Sequence, residues 1–363
     1  MTEMKIQQRL AQWLRPEIRA LNAYHVTDAS GMVKLDAMEN PYGWPQALIE
    51  KWLKVLAGAE LNRYPDPDAR PLVEALRSVH RIPEQSGVLL GNGSDELIQL
   101  IMMAVAAPGR VVLSPEPGFS MYQMIASFVG LGYVGVPLSA SDFSLDLAAM
   151  LAAIEQHQPA VVFLAYPNNP TGNLFDAGAI EQIIAAAPGL VVVDEAYHAF
   201  ADATLMGRLP EYDNLLVLRT LSKMGLAGLR LGLLVADHGW VDEINKIRLP
   251  YNINSLTQLS AAFAMQHADI LTEQTDRISR DRESLYTQLQ QMVELTVYPS
   301  RANFILFRVP EGKGTALFER LIEDGVLIRN LHRDGSVLAD CLRVTVGTSA
   351  ENDAFLKALR RAL

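Results

Sequence analysis

Short apolar runs and helical segments alternate through the middle of the chain. The runs place apolar residues on consecutive positions rather than on alternate ones, as in Val111–Leu113 and Leu190–Val193. Strands that are apolar on both faces are typical of a parallel sheet covered by helices on both sides. The pattern therefore predicts an α/β fold over residues 45–250, with a mostly parallel sheet in which one or two strands run antiparallel. The expected strands are Val88–Leu90, Val111–Leu113, Gly132–Val136, Ala160–Ala165, Leu190–Val193, Leu215–Leu218 and Leu229–Val235.

The pattern changes after Pro250. Residues 251–290 have many polar positions at helical spacing and predict one connecting helix. We expect a smaller α+β domain over residues 291–363, with the N-terminal arm, residues 1–44, joining it in part. The expected elements of the smaller domain are strands over Asn303–Val309, Val326–Arg329 and Cys341–Val346 and a last helix capped by Ser349.

Composition and charge narrow the classes of function. The 363 residues carry a formal net charge of −10 without a run of Lys or Arg, so the sequence shows no surface for nucleic acid or an anionic membrane. Charges interrupt the helical segment over residues 1–21, and no apolar run reaches the roughly 20 residues of a membrane span. Seven scattered histidines and one cysteine, Cys341, give neither metal-binding spacing nor an intrachain disulfide. We expect a soluble, cytoplasmic protein without a metal site.

The stretch over residues 218–232 combines reactive and phosphate-binding side chains. Lys223 lies beside Thr220 and Ser222 in a glycine-rich loop, and Arg230 follows seven positions after the lysine. A lysine can form a Schiff base with an aldehyde, while hydroxyls and a guanidinium can bind a phosphate. The stretch alone leaves open whether it binds such a cofactor or is a surface loop with a solvated lysine.

Polar side chains also follow other expected strands. Asp194 ends one apolar run, Tyr197 comes three positions later, and Asn169 follows another run. Ser94 and Asp95 lie where a strand leads into a helix, so their amides could bind a phosphate at the helix N-terminus. Ligands of open α/β sheets gather at the carboxyl ends of the strands, and a carboxylate buried there needs a partner such as a protonated pyridine nitrogen. Capping, turn chemistry and packing are the alternative roles of these residues.

Three motifs in this order resemble those of the fold-type I pyridoxal-phosphate aminotransferases, and the resemblance covers nearly the whole chain: Asn168–Gly172, Asp194–Tyr197, and Ser222–Lys223 with Arg230. Within that superfamily, further motifs are similar to those of the histidinol-phosphate aminotransferases: Glu39–Gly43, Arg63–Asp66, Gly91–Glu96, Thr220–Arg230 and Cys341–Gly347. Two features depart from the family pattern. Phe119 stands where a tyrosine is usual, and the spacing from Lys223 to Arg230 is one residue shorter than the commonest one.

The resemblance implies a pyridoxal 5′-phosphate cofactor bound by the large domain. Lys223 would hold the cofactor as a Schiff base and transfer the substrate's proton, while Asp194 would keep the pyridine nitrogen protonated. Asn169 and Tyr197 would bind the phenolate oxygen of the ring, and Phe119 would stack on the ring. The groups expected at the cofactor phosphate are Ser94, Asp95, Thr220, Ser222 and Arg230, with Tyr64 of the partner subunit in a homodimer.

The same resemblance implies reversible amino transfer between L-histidinol phosphate and 2-oxoglutarate, which gives imidazole acetol phosphate and L-glutamate in histidine biosynthesis. Arg343 would bind a carboxylate, and Arg329 would be a second cation for the substrate phosphate, although both could instead form surface ion pairs. Asn40 and Tyr42 would line the substrate pocket. Three other functions stay open: an aromatic amino acid aminotransferase, a decarboxylase of a phosphorylated amino acid, and a catalytically silent cofactor-binding module.

Overall fold

The computed structural model describes residues 2–21, 23 and 27–363. The expected N-terminal helix over residues 1–21 is divided into α1 (Thr2–Trp13) and α2 (Pro16–Arg19), and Met1 lies outside the described residues. The division occurs at Arg15, whose ψ of 138° is extended because the ring of a following proline disfavours helical geometry. Residues 22 and 24–26 of the expected arm also lie outside the described residues.

Within the described residues, the strands form three sheets. The strands are β1 (Val33–Lys34), β2 (Ser86–Asn92), β3 (Val111–Glu116), β4 (Gly132–Pro137), β5 (Val161–Ala165), β6 (Leu190–Asp194), β7 (Leu215–Thr220), β8 (Leu231–Asp237), β9 (Thr296–Val297), β10 (Phe304–Arg308), β11 (Val326–Leu327), β12 (Arg329–Asn330) and β13 (Cys341–Thr345). The further α-helices are α3 (Gln46–Leu56), α4 (Arg70–His80), α5 (Ser94–Val105), α6 (Met121–Val129), α7 (Leu147–His157), α8 (Ala177–Ala186), α9 (His238–Asn245), α10 (Ser255–Met265), α11 (Ala268–Gln290), α12 (Gly314–Glu323) and α13 (Ser349–Ala362). Short 3-10 helices span His198–Phe200, Met206–Glu211, Ser222–Met224 and Ala227–Leu229.

The largest sheet has seven strands in the order β2-β8-β7-β6-β5-β3-β4. β8 is antiparallel to both of its neighbours, whereas the other pairs are parallel. Apolar side chains of α4, α7, α8 and α10 pack on one face, and those of α5, α6 and α9 pack on the other. The expected fold class, a mostly parallel sheet covered by helices on both faces, is confirmed.

Hydrogen-bonded pairing lengthens the strands beyond their apolar runs. β2 pairs with β8 along the whole of Ser86–Asn92, although only its centre reads as apolar. The expected loop over residues 91–96 is consequently shorter, because α5 begins at Ser94. An apolar run therefore marks the core-facing part of a strand, while the ladder continues into polar residues.

The C-terminal part forms a smaller α+β unit around the antiparallel sheet β12-β13-β10-β9. α11, α12 and α13 pack on this sheet through an apolar cluster that includes Phe304, Phe307 and Phe355. β1 pairs in parallel with β11 and so attaches the N-terminal segment to this unit. The domain boundaries themselves stay a prediction.

Three further local predictions are wrong. The single helix expected over residues 251–290 is two helices, α10 and α11, because α10 packs with the large sheet and most of α11 packs with the smaller one. The strand expected over Val326–Arg329 is divided between β11 and β12, which pair in different sheets. The last helix is capped by Thr348 rather than Ser349, since the Thr348 hydroxyl accepts from the Glu351 backbone N at 3.3 Å.

Candidate functional site

Three neighbouring parallel strands, β5, β6 and β7, end close together at the carboxyl edge of the seven-stranded sheet. β6 ends at Asp194, which pairs with Leu218 of β7 and Ala165 of β5. The Asp194 side chain is buried, and its oxygens accept from the Tyr122 hydroxyl at 2.7 Å and the Ala196 backbone N at 3.1 Å. Burial raises the pKa of the Asp194 carboxyl to about 6, although the two hydrogen bonds favour the ionised form and so lower this pKa. The structure thus places a carboxylate where ligands of such sheets bind.

Lys223 follows β7 within the short helix Ser222–Met224. Its Nζ donates to the carbonyl O of Ala37 at 3.1 Å and lies 5.9 Å from the centroid of the Tyr197 ring. Burial lowers the pKa of the Lys223 ammonium to about 8, and the charge of Arg343 acts in the same direction. A lysine with this pKa is partly neutral close to physiological pH and can attack a carbonyl group.

Asn169, Tyr197 and Arg343 form a continuous hydrogen-bond chain. The Asn169 amide donates to the Tyr197 hydroxyl at 3.0 Å and accepts from Arg343 Nη1 at 2.5 Å. The Tyr197 ring meets Phe304 edge-on, and the Arg343 guanidinium lies 5.0 Å from the centroid of that Phe304 ring. All three polar side chains are buried, and burial raises the pKa of the Tyr197 phenol, which stays protonated as a donor.

The connection from β2 to α5 approaches β8 closely. Gly93 has a φ of +85°, and a Cβ there would lie 2.6 Å from Nη2 of Arg230. A Cβ on Gly232 would lie 2.6 Å from the backbone N of Ser94. Arg230 adopts a left-handed φ of +50°, and its Nη2 lies 3.8 Å from Asp95 Oδ2. A helix N-terminus next to a guanidinium forms a cradle that suits an anion.

Two hydroxyls lie at the end of β7. Thr220 Oγ1 donates to Ser222 Oγ at 2.9 Å and accepts from the Ser222 backbone N at 3.2 Å. Both side chains are buried. The hydroxyls expected at a phosphate are therefore in mutual contact immediately before Lys223.

The segment over residues 39–43 contacts the loop that carries the lysine. The Asn40 amide donates to the carbonyl O of Met224 at 3.3 Å and to a glutamine side chain of α11 at 2.9 Å. The Tyr42 hydroxyl donates to Asp281 Oδ2 at 3.1 Å. The segment therefore joins the lysine loop to α11.

Arg329 and Tyr64 occupy different positions. Arg329 pairs directly with Arg343 across β12 and β13, so the two side chains point to the same face of the sheet. Tyr64 is 80% exposed and stacks on Tyr251 with ring centroids 4.4 Å apart. The structure thus brings Arg329 to the face of Arg343, whereas Tyr64 lies on the surface, apart from the buried side chains of its own chain's site.

Tyr122 contacts the site but has no specific signal in the sequence. It is fully buried in α6, where its ring stacks on Phe163 at a centroid distance of 4.6 Å and meets Phe119 edge-on at 5.4 Å. The sequence pattern alone predicts that Tyr122 is an apolar core position of an amphipathic helix. The available signal is general: a buried tyrosine hydroxyl needs a hydrogen-bond partner.

The sequence also gives no signal for a buried ion pair next to the site. Arg219 of β7 donates to Glu195 Oε2 at 2.7 Å, and the same carboxylate accepts from the Leu205 backbone N at 2.6 Å. Both charged side chains are buried. The pair ties the end of β6, next to Asp194, to β7, which leads to Lys223.

Among residues 2–21, 23 and 27–363, no three His, Cys, Asp or Glu side chains cluster as metal ligands. No helix in that part of the chain is long and apolar enough to cross a membrane. Cys341 is fully buried in β13, as expected of a core residue.

The chain is similar to known proteins along nearly its whole length. Residues 30–359 match the family model described as aminotransferase class I and II. The chain is 58% identical over 352 residues to histidinol-phosphate aminotransferase 2 of Nitrosococcus oceani, covering 97% of this chain and 98% of the relative. It is 52% identical over 359 residues to histidinol-phosphate aminotransferase 1 of Ralstonia nicotianae, covering 98% and 95%. The crystal structure of histidinol-phosphate aminotransferase from Sinorhizobium meliloti, in complex with pyridoxal-5′-phosphate, matches with a TM-score of 0.86 at 25% identity, covering 96% of this chain and 97% of that chain. The chain therefore belongs to the class I and II aminotransferases.

Proposed function

We propose that the chain is a pyridoxal 5′-phosphate-dependent aminotransferase that transfers an amino group between L-histidinol phosphate and 2-oxoglutarate, in histidine biosynthesis. The observation that carries this proposal is the meeting of Lys223, Asp194 and the Asn169–Tyr197 pair at one edge of the sheet. The choice of substrate is supported by the names of the relatives at 58% and 52% identity. We place the reaction in the cytoplasm, a reducing compartment with which the single cysteine, Cys341, is compatible.

The residues at the sheet edge fit this cofactor. When bound, pyridoxal phosphate supplies an aldehyde for covalent attachment and a pyridinium ring that accepts electrons. Lys223 provides the amine for that aldehyde, since burial lowers its pKa to about 8. The cradle formed by Gly93, Ser94 and Arg230 suits the phosphate, because a larger residue at Gly93 would fill it.

Each polar side chain at the edge has a role in this proposal. Asp194 would bind the protonated ring nitrogen, and its burial would strengthen the ion pair because water does not screen it. Asn169 and Tyr197, which contact each other at 3.0 Å, would donate to the phenolate oxygen of the ring. Phe119 would pack on the ring, since a phenylalanine keeps the stacking surface of the usual tyrosine. Lys223 Nζ would take the proton from the substrate Cα.

The phosphate is bound by backbone, hydroxyl and guanidinium groups. Thr220, Ser222 and Arg230 supply the side chains, and α5 supplies the backbone N–H groups of its first turn. The Asp95 carboxylate cannot itself bind a phosphate, because both are negative. We therefore assign to Asp95 a backbone N–H, while its side chain interacts with Arg230 at 3.8 Å.

The substrate side contains two arginines on one face of the smaller sheet. Arg343 binds the carboxylate of 2-oxoglutarate or glutamate, for which the planar guanidinium offers two parallel hydrogen bonds. Arg329 supplies the second cation for the phosphate of histidinol phosphate. Asn40 and Tyr42 hold the segment that lines the pocket between the lysine loop and α11.

We also propose that the chain works as a homodimer in which each site receives Tyr64 of the partner subunit. Tyr64 is 80% exposed and stacks on Tyr251; Leu61, three positions before Tyr64, and Leu249, two positions before Tyr251, are exposed to 72% and 74%. Apolar side chains exposed to this extent support the proposal that a partner subunit covers this surface. Mixing inactive Lys223→Ala and Tyr64→Ala dimers should restore activity, since a mixed dimer contains one complete site. Mixtures that stay inactive after subunit exchange would contradict the shared site.

Covalent trapping tests the cofactor site. Borohydride reduction of the yellow wild type, followed by peptide mass spectrometry, should find the cofactor attached to Lys223, and Lys223→Ala should show neither the visible band nor the adduct. A colourless wild type that binds no cofactor would refute the proposal.

Single-turnover kinetics test the substrate. The loaded enzyme should react with histidinol phosphate in strong preference to phenylalanine or tyrosine, measured in parallel by loss of the visible band. Preference for either aromatic amino acid would identify an aromatic aminotransferase, and release of carbon dioxide from a phosphorylated amino acid would identify a decarboxylase.

A further inference from the structure

Tyr122 is the side-chain donor to the Asp194 carboxylate. It lies in the first turn of α6, is fully buried, and donates from its hydroxyl to Asp194 Oδ2 at 2.7 Å. Two aromatic neighbours fix the ring: Phe163 stacks on it at 4.6 Å and Phe119 meets it edge-on at 5.4 Å. The hydroxyl therefore has little freedom to turn away from the carboxylate.

The groups around Asp194 divide into those that favour its charge and those that oppose it. Burial and the neighbouring acids favour the neutral carboxyl. The backbone N–H of Ala196, 3.1 Å from Oδ1, and the Tyr122 hydroxyl favour the carboxylate. Among the described residues, each oxygen thus has one donor, and its remaining lone pairs can accept from a cation. The titratable groups that act on this site are Tyr122 of α6, Asp95 of α5, and Glu195 and Tyr197 after β6.

We propose that Tyr122 is a positioning residue whose hydroxyl keeps Asp194 ionised and oriented, so that Asp194 in turn keeps the ring nitrogen of the cofactor protonated. This inference rests on the proposed function. A donor to the charged form of an acid makes that form more favourable, and charge-assisted hydrogen bonds are the stronger kind. Because the Tyr122 ring also contacts Phe119, Tyr122 would support both residues that the proposed function assigns to the cofactor ring here, Phe119 and Asp194.

The chain offers a matched pair of variants to test this role. Tyr122→Phe removes the hydroxyl and keeps the ring that packs on Phe163. Tyr133→Phe removes the same group from a nearby partly buried tyrosine, whose hydroxyl interacts with Glu116 rather than Asp194. Both variants and the wild type are loaded with ¹⁵N-labelled pyridoxal phosphate. The measurements are the ¹⁵N chemical shift of the ring nitrogen and the dissociation constant of the cofactor.

The ring nitrogen of the wild type and of Tyr133→Phe should be protonated at neutral pH. Tyr122→Phe should move its ¹⁵N shift toward the unprotonated value and raise the dissociation constant on the order of 10- to 100-fold, as expected for a lost hydrogen bond to a buried charge. A purely structural role of Tyr122 would leave the ¹⁵N shift unchanged.

The outcomes separate this inference from the proposed function. A folded Tyr122→Phe with an unchanged ¹⁵N shift would overturn the inference alone, whatever its dissociation constant, whereas a wild type that does not bind the cofactor would overturn the proposed function. If Tyr122→Phe does not fold, 3-fluorotyrosine is introduced at position 122 as a stronger donor of similar size. Because a stronger donor keeps Asp194 ionised to a lower pH, the cofactor affinity should persist to a lower pH than in the wild type, and an unchanged pH dependence of the dissociation constant would overturn the inference.

Discussion

Gly93 separates β2 from α5 and lies next to the guanidinium of Arg230. Its φ of +85° and ψ of 165° lie in a region of backbone conformation that is essentially restricted to glycine. In Gly93→Ala, the new Cβ would lie 2.6 Å from Nη2 and 3.2 Å from Cζ of Arg230. Because the guanidinium is the far end of a flexible side chain, we expect it to move away rather than the backbone. The substitution should therefore strain the loop and withdraw Arg230 from the phosphate.

The two effects can be estimated separately. The backbone strain should lower the free energy of unfolding by about 1–3 kcal/mol. A hydrogen bond to a charged group contributes about 1.5–3 kcal/mol when it is buried, but half of the Arg230 side chain, 51%, is exposed and water competes for it. We therefore expect a loss of about 1–2 kcal/mol in cofactor binding, which is about 5- to 30-fold in the dissociation constant.

Fluorescence titration of the apoenzyme with pyridoxal phosphate measures the dissociation constant, and urea unfolding measures stability. Gly109→Ala is the control, because Gly109 has a φ of +80° but a Cβ there meets nothing within 4 Å. It should lose stability without losing cofactor affinity. In an Arg230→Ala background, Gly93→Ala should weaken cofactor binding little further, since both changes remove the same contact. Fully additive losses of affinity would refute the reasoning.

Other outcomes depend on the charges around the site. The rate at which the apoenzyme captures pyridoxal phosphate should rise with pH through about 8, because burial lowers the pKa of Lys223 to about 8 and the neutral amine is the nucleophile. Stopped-flow absorbance measures this rate. A rate that does not depend on pH would contradict the expectation. Arg343→Gln should move the midpoint of that rise to higher pH, since the charge of Arg343 lowers the pKa of Lys223. Glu195→Ala should lower the free energy of unfolding in urea by about 3–5 kcal/mol, because it leaves Arg219 buried without its partner. Glu243→Ala, which breaks an exposed ion pair, should change it by less than about 1 kcal/mol, so equal effects of the two would refute the assignment.

The sequence predicts the parts of the fold in which each strand is apolar on both faces. β5 and β6 are buried along their whole length, so their positions follow directly from the apolar runs. Because parallel strands end at one edge of a sheet, polar residues that follow such runs are expected to meet there. The contact between Asn169 and Tyr197, and the position of Lys223 near the Tyr197 ring, agree with that expectation.

Contacts between distant positions that have no periodic pattern could not be predicted. Tyr122 is 72 positions away from Asp194, and its helix reads as apolar whether or not its hydroxyl has a partner. In the sequence, Glu195 and Arg219 are each a single charged residue at the end of an apolar run. Their ion pair can be predicted only when the register of β6 against β7 is known. The division between α10 and α11 likewise depends on which apolar cluster each helix joins, since polar positions at helical spacing continue across it.

The site draws on both sheets, and in the proposed reaction this arrangement would couple substrate recognition to Lys223. Asn169 and Tyr197 follow strands of the large sheet, whereas Arg343 comes from β13 of the smaller one, yet the three side chains form one hydrogen-bond chain. The charge of Arg343 lowers the pKa of Lys223 and opposes the rise in the pKa of Tyr197 that burial causes. A carboxylate that binds Arg343 would neutralise this charge and so increase the proton affinity of Lys223 Nζ when the substrate is in place. In the proposed reaction, the arginine that selects carboxylate substrates would thus also prepare the lysine to accept the proton from the substrate Cα.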